Sequence, residues 1–231
     1  MIERYSIGAT NREIANRFLV DVPEYYRQRY NAAPSQILPV ITAENPNGVS
    51  MFYWGLPPAK QTKNKTYSER TINLKVESIQ ERVVFRRAIQ SRRCLILGDG
   101  FYGWKHIGKK TIIPYRFSSV DRMPFGIAGI WEEYEDFEGE NCHTFMMITA
   151  TSNLEFGITE RMPLVLSHEK EKIWLSAETD FNSVIACLEP HSIMYDVYPI
   201  SPRINSVLND DIGLISPTPP SDQFGNLTLF E

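Results

Sequence analysis

The spacing of apolar residues changes character once along the chain. Before residue 92 it mixes helical and strand periods; from Cys94 onward short apolar runs separated by turn residues dominate. Thr10-Asn11-Arg12-Glu13 has the form of a capping box and predicts a helix through Phe18. Ile37 to Ala43 and Val49 to Trp54 read as strands joined by the Asn45-Pro46-Asn47-Gly48 turn. Trp54-Gly55-Leu56-Pro57-Pro58 interrupts regular structure, and Lys60 to Arg70 is a polar loop. A second capping box, Ser78-Ile79-Gln80-Glu81, predicts a basic amphipathic helix to about Ser91. Strands follow at Cys94–Leu97, Phe101–Lys105, Ile112–Phe117, Phe125–Trp131 and Thr144–Ala150, then helices over His168–Leu175 and Phe181–Leu188. Many short strands with few helices imply an α+β fold, with a curled, barrel-like, mostly antiparallel sheet flanked by short helices. A single domain over 1–217 is expected, with a Pro/Ser/Thr-rich flexible tail over 218–231.

Composition adds exclusions. At 231 residues, 42% hydrophobic and 23% charged, the chain is an ordinary globular protein large enough to need no disulfide or metal staple. No apolar run is long enough to cross a bilayer, and Met1-Ile2-Glu3-Arg4-Tyr5 has no secretory character, so a cytoplasmic location without membrane partners is expected. Cys94, Cys142 and Cys187 are odd in number and fit no zinc pattern, which points to reduced thiols. Cys94 sits in an Arg-Cys-Leu-Ile-Leu string that reads as a buried strand. Gly98-Asp99-Gly100-Phe101-Tyr102-Gly103-Trp104 reads as a tight turn with aromatic core residues. No metalloprotease, serine-hydrolase or nucleotide-binding motif is present; neither metal nor cofactor is implied.

The net charge of −4 argues weakly against nucleic acid, but it is unevenly spread. Lys60 to Arg93 holds ten Lys/Arg and three Asp/Glu, a net of +7, which leaves −11 elsewhere, much of it between Glu132 and Glu140. Such segregation is either a phosphate-binding face or one solvated loop and helix face.

Eight strings occur in a specific order: Arg29-Tyr30-Asn31-Ala32-Ala33-Pro34-Ser35-Gln36, Phe52 to Pro58, Ile72 to Ser78, Arg92 to Trp104, Ala128 to Glu132, Ile148 to Asn153, Glu160 to Leu166 and Pro199 to Asn205. Together they resemble the SOS response-associated peptidase (SRAP) family from residue 1 to about 217. The resemblance implies a protein of the DNA-damage response that exposes an N-terminal cysteine. Its amine and thiol capture the aldehyde of an abasic site in single-stranded DNA as a thiazolidine, an amine meeting the carbonyl and a thiolate trapping the imine. It also implies self-processing, thiol-peptidase-like chemistry, helped by an Asn in N-A-R-x-E-T, a Glu in G-F-Y-E-W and a His in H-D-R-M-P.

Placed on this chain, those roles are largely missing. Position 2 is Ile2, too bulky for ordinary removal of Met1; the Glu position is Gly103; the His position is Thr159; the Arg of the first motif is Lys75. Asn73, Glu77, Arg4, Trp54, Arg161 and Pro163 remain.

Three readings follow. One is a pseudoenzyme that binds single-stranded or abasic-site DNA without covalent linkage, through Arg4, Asn31, Pro34, Trp54, Asn73, Lys75, Glu77 and Arg161, near the nucleoid. Another is an abasic-site lyase forming a Schiff base through Lys75 or the Met1 amine. The last concerns Asn226-Leu227-Thr228-Leu229-Phe230, which resembles the peptide by which bacterial repair proteins dock on the replication sliding clamp, with Leu227, Leu229 and Phe230 as anchors. A protein-interaction module without DNA contact is the extreme form of it.

Overall fold

The computed structural model describes residues 2–55, 72–135, 139–152, 157–189 and 193–228. The polar loop expected over Lys60 to Arg70 therefore lies outside the described residues, as do Met1, Leu229 and Phe230. In chain order the elements are β1 (Tyr5–Ile7), α1 (Asn11–Phe18), β2 (Arg29–Ala32), β3 (Ile37–Thr42), β4 (Val49–Trp54), β5 (Asn73–Lys75), α2 (Val76–Glu81), α3 (Val83–Ser91), β6 (Arg93–Gly98), β7 (Gly100–Ile107), β8 (Thr111–Ser119), β9 (Phe125–Glu135), β10 (Asn141–Thr151), β11 (Arg161–Pro163), α4 (His168–Leu175), α5 (Phe181–Cys187) and β12 (Tyr195–Pro199). Two 3₁₀ turns, Pro202–Asn205 and Ile212–Ile215, follow.

The strands form two sheets. In one, β3, β4, β10, β9 and β6 are hydrogen-bonded in sequence, and β6 pairs back onto β3, which closes a five-strand barrel. The other is an open sheet ordered β12-β8-β7-β1-β2. Among the described strands all pairings are antiparallel except those of β10 with β4 and β5. The expected α+β fold with a curled, largely antiparallel sheet is therefore the one observed. Closure lets Leu38, Val40, Trp54, Leu95, Ile96, Ile130, Phe145 and Met147 join one continuous buried cluster.

Local rules account for most elements. Thr10 accepts from the Glu13 amide while the Glu13 carboxylate accepts from the Thr10 amide, so the first capping box is present. Ser167 and Asp180 cap α4 and α5 through their side chains.

Two expectations need correction. Ser78 is not an N-cap: it lies inside α2, and the predicted single helix is two, broken at Arg82 in an extended conformation. Ile79 and Phe85 are six residues apart, about 240° around one continuous helix. The break re-phases the chain so that both are buried, together with Ala88 and Ile89. Nor does Gly98-Asp99-Gly100 form a hairpin turn. The chain crosses there from the barrel strand β6, paired with β3 and β9, to the open-sheet strand β7, paired with β1 and β8. Asp99 holds the crossing by accepting from the Ser6 hydroxyl, the Gly8 amide and Arg116.

Candidate functional site

The N-terminal residues enter between the barrel and the open sheet. β1 pairs with β7, Tyr5 opposite Phe101. On the barrel side, β5 runs parallel to β10 with Asn73 opposite Met147 and Lys75 opposite Thr149. Asn73 Nδ2 donates to the Ile2 carbonyl at 2.6 Å, fixing residue 2 across the seam, while Asn73 Oδ1 is buried without a partner among the described residues. The Ile2 residue is 1% exposed. An aliphatic side chain thus occupies core space at the position where the SRAP pattern has its thiol.

Beside it lies a cavity of about 290 Å³ bordered by Glu3, Gly103, His106, Ile158, Thr159 and Glu160. It unites two of the substituted positions, Gly103 and Thr159. A Cβ on Gly103 would lie 2.9 Å from Ile158 Cγ2 and 3.0 Å from Phe117 Cε2, closer than carbon atoms pack. The cavity wall has therefore closed over the space that a longer side chain at 103 needs. The Thr159 hydroxyl donates to the Arg161 carbonyl at 2.7 Å. Neither position offers a group that titrates near neutrality.

Lys75, Glu77 and Arg161 gather at the adjoining edge around Thr149. Arg161 Nε donates to Thr149 Oγ1 at 3.1 Å and Nη2 to the Thr149 carbonyl at 2.6 Å. The same guanidinium pairs with Glu77, Nη2 to Oε2 at 2.9 Å and Nη1 to Oε1 at 3.3 Å. Arg161 holds the Glu77 carboxyl below the usual carboxylate range. Lys75 is exposed. Arg4 donates to the Glu3 carbonyl, its Nε is buried without a partner among the described residues, and burial pushes its guanidinium below the ordinary value.

Other expected site residues serve packing. Trp54 is fully buried; its indole N–H donates to the Ile72 carbonyl, and its ring meets Tyr5 edge-on at 5.3 Å, so its faces are not open to a base. The next residue, Gly55, has φ +66, and a Cβ there would strike Ile72 at 2.5 Å, which explains the Trp-Gly pair. Pro34 is half-buried in a turn whose Ser35 amide donates to the Trp54 carbonyl. Asn31 is buried away from this edge. Its amide nitrogen lies 2.9–3.1 Å from the carbonyls of Ile204, Ser206 and Asn209, tying down the C-terminal turns.

The basic stretch divides similarly. Arg82, Arg86 and Arg87 are exposed on the α2–α3 segment, and Arg92 lies 5.6 Å over the Trp131 ring. Arg93 belongs to the interior: it is 2% exposed and donates to the carbonyls of Ile89, Gln90, Trp174 and Ser176 at the ends of α3 and α4. At the far end of the chain, Gln223 accepts from the Ile112 amide and donates to the Lys110 carbonyl, holding residues 221–228 against the β7–β8 turn. Phe224 and Leu227 stay 80% and 71% exposed there. Among the described residues no group of three His, Cys, Asp or Glu could hold a metal ion, and no helix is long and apolar enough to cross a membrane.

Sequence reasoning missed Thr149, Glu3, His106, Ile158 and Glu160. Thr149 had a signal, a lone polar residue in the apolar run Phe145 to Ala150. Glu160 stands in the Glu160 to Leu166 string, beside the substituted Thr159, whereas Glu3, His106 and Ile158 had none.

Comparison with known proteins agrees with this geometry. A family model described as SOS response associated peptidase (SRAP) matches residues 1–207. The chain is 34% identical over 222 residues to abasic site processing protein YoqW of Bacillus subtilis, covering 93% of this chain and 99% of YoqW. It is 33% identical over 226 residues to abasic site processing protein YoaM of the same organism, covering 93% and 97%. Among solved structures it resembles a protein from Bacteroides thetaiotaomicron with a TM-score of 0.80 and 25% identity, covering 93% and 99% of the two chains.

Proposed function

We propose a function from one premise: the chain belongs to the SOS response-associated peptidase family, whose relatives here are named for abasic-site processing. In our reading it binds single-stranded or abasic-site DNA as part of the DNA-damage response, near the nucleoid, and has lost the covalent crosslink and peptidase chemistry. The observation that carries the loss is the joint replacement of the reacting groups: Ile2 is buried where a thiol is needed, and Gly103 is crowded by Ile158 and Phe117 where a carboxylate is needed. Retention of binding is supported by Lys75, exposed two residues from Asn73, by Arg4, two residues from the Ile2 that Asn73 holds, and by Arg82, Arg86 and Arg87 exposed on the next segment. The DNA-binding unit in this reading spans 1–217, and the segment over 218–231, which Gln223 holds against the β7–β8 turn in its described part, serves the clamp instead.

Undamaged and abasic single-stranded DNA, run on native and denaturing gels with the pure protein, test this. A native shift without a denaturing-stable adduct is expected. An adduct on the denaturing gel overturns the loss of chemistry, and no shift on either DNA overturns the binding role.

A lyase reading has one observation in its favour: Glu3, His106 and Glu160 border the same cavity as Gly103 and Thr159, so proton-transfer groups are present beside the substituted positions. An amine, that of Lys75 or Met1, would condense with the aldehyde to an imine and water, and loss of a C2′ proton would expel the 3′ phosphate. Borohydride trapping separates the two readings: a reduced adduct with strand cleavage supports the lyase, and its absence leaves the non-covalent binder. A further partner, the sliding clamp, is supported by the exposure of Leu227, one of the three expected anchors, and of Phe224 near it.

A further inference from the structure

The edge made by β5, β10 and β11 presents one lysine and one arginine, but the two cations are not equally available. Lys75 is exposed, and no hydrogen bond or ion pair holds it among the described residues. Arg161 has five N–H groups. Nε–H and one Nη2–H go to Thr149, the second Nη2–H goes to Glu77 Oε2, and one Nη1–H goes to Glu77 Oε1. A single Nη1–H is left. A phosphate held by an arginine fork needs two parallel N–H groups. The pair facing outward is the pair Glu77 now occupies.

Glu77 is suited to being displaced. Its side chain is 51% exposed against 17% for Arg161. Apart from Arg161, among the described residues its carboxylate meets the Thr151 hydroxyl, at 3.3 Å, and its own backbone amide. Arg161 by contrast is fixed by Thr149 whether or not Glu77 is present. Exchange of the carboxylate for another anion would therefore leave the guanidinium in place, and an ion pair this exposed is worth at most a few-fold in an equilibrium constant.

We propose that Glu77 is a built-in competitor for the phosphate that Arg161 can hold, so that a nucleic-acid backbone enters this edge by displacing a carboxylate. The inference rests on the DNA-binding reading above and adds a binding-determining residue to it. Glu77 lowers affinity by occupying the fork of Arg161, and it meets no phosphate itself. A supporting role, in which Glu77 holds Arg161 ready for DNA, makes the opposite prediction.

The test is the affinity of the full chain for a single-stranded oligonucleotide, titrated at several salt concentrations, for wild type, Glu77→Gln, Arg161→Gln and the double variant. Glu77→Gln is expected to bind roughly two- to five-fold more tightly, the size of one exposed ion pair. Its plot of log K against log salt should keep the wild-type slope, since Arg161 meets the same phosphate once Glu77 is displaced, whereas Arg161→Gln should flatten it by about 0.7. The gain in affinity should vanish in the Arg161→Gln background. Melting curves identify variants that have not folded; should Arg161→Gln be one of them, Arg161→Lys, which keeps charge but not the fork, replaces it. Unchanged or weaker binding by a folded Glu77→Gln, with wild type still binding, overturns the inference and leaves the DNA reading intact. Absence of binding by both wild type and Glu77→Gln overturns the DNA reading, and the inference with it.

Discussion

Replacing Gly103 with alanine probes how far the wall of the cavity has closed. The added Cβ would sit 2.9 Å from Ile158 Cγ2, 3.0 Å from Phe117 Cε2 and 3.5 Å from Thr159 Cβ. Comfortable carbon contacts lie at about 3.5–4.0 Å, so two neighbours must retreat by roughly half an ångström or more. Phe117 has nowhere to go: its ring is fully buried, stacked on Phe101 at 4.7 Å and edged by Tyr195. Ile158 must move instead. Overpacking of this kind costs about 1–3 kcal/mol. In a chain this long Tm falls by about 2–4 °C per kcal/mol. Ile158→Ala alone should cost about 2 kcal/mol or more for the lost buried methyl groups. The double variant is the informative one, because the methyl that clashes is the one removed: its cost should fall short of the sum by about 0.5–3 kcal/mol. Urea or thermal unfolding of the four proteins measures this directly. Gly103→Ala melting with wild type, or strict additivity in the double variant, would refute the claim that the cavity wall excludes a side chain at 103.

Ile2→Cys alone should yield no covalent adduct with abasic single-stranded DNA on denaturing gels, since Gly103 and Thr159 supply neither acid nor base. Arg93→Met leaves four carbonyls without their donor, two of them, Ile89 and Trp174, in buried bonds, and should cost about 2 kcal/mol or more in denaturant unfolding at unchanged fold; a loss under 1 kcal/mol would show that those carbonyls find water. Because Arg161 depresses the Glu77 carboxyl, the pair's contribution is present above the ordinary carboxylate pKa and disappears as pH falls through the lower folded value. The stability gap between wild type and Glu77→Gln should thus be small and constant near neutrality and close in acid; a gap that widens in acid contradicts the pairing. Leu229→Ala with Phe230→Ala should abolish sliding-clamp binding in a pull-down with purified clamp, and equal retention by wild type and variant, or none by either, removes the clamp as a partner.

The pattern of apolar positions was enough for most elements. α1, α4, α5, β3, β4 and the strands from β6 to β10 fall where periodicity puts them, because the burial of a strand or helix face is written in the spacing of its own residues. Three-residue strands such as β1, β5 and β11 were not legible, since so short a segment has no period and becomes a strand only when a neighbour pairs with it. The division of one expected helix at Arg82 was hidden for a related reason: each half has an acceptable helical face, and only the shared core demands that the two faces coincide.

The candidate site divides along the same line. The sequence determined which groups are missing, because identity at a motif position needs no coordinates: Ile2, Gly103, Thr159 and Lys75 can be read off directly. It also placed Asn73, Glu77 and Arg161 in motifs without saying what each one holds. Tertiary structure decided that Trp54 faces the core, that Asn31 binds the C-terminal turns and that Arg93 is buried among carbonyls. It also decided that Ile158 and Phe117 close over Gly103 and that Glu77 occupies the fork of Arg161. The reason is range. Which face of a segment is buried follows from residues a few positions apart, but which atom a polar group meets depends on segments 71 or 84 residues away, as for Asn73 with Ile2 and Arg161 with Glu77. No local period encodes those meetings; the closing of the barrel and its packing against the open sheet create them.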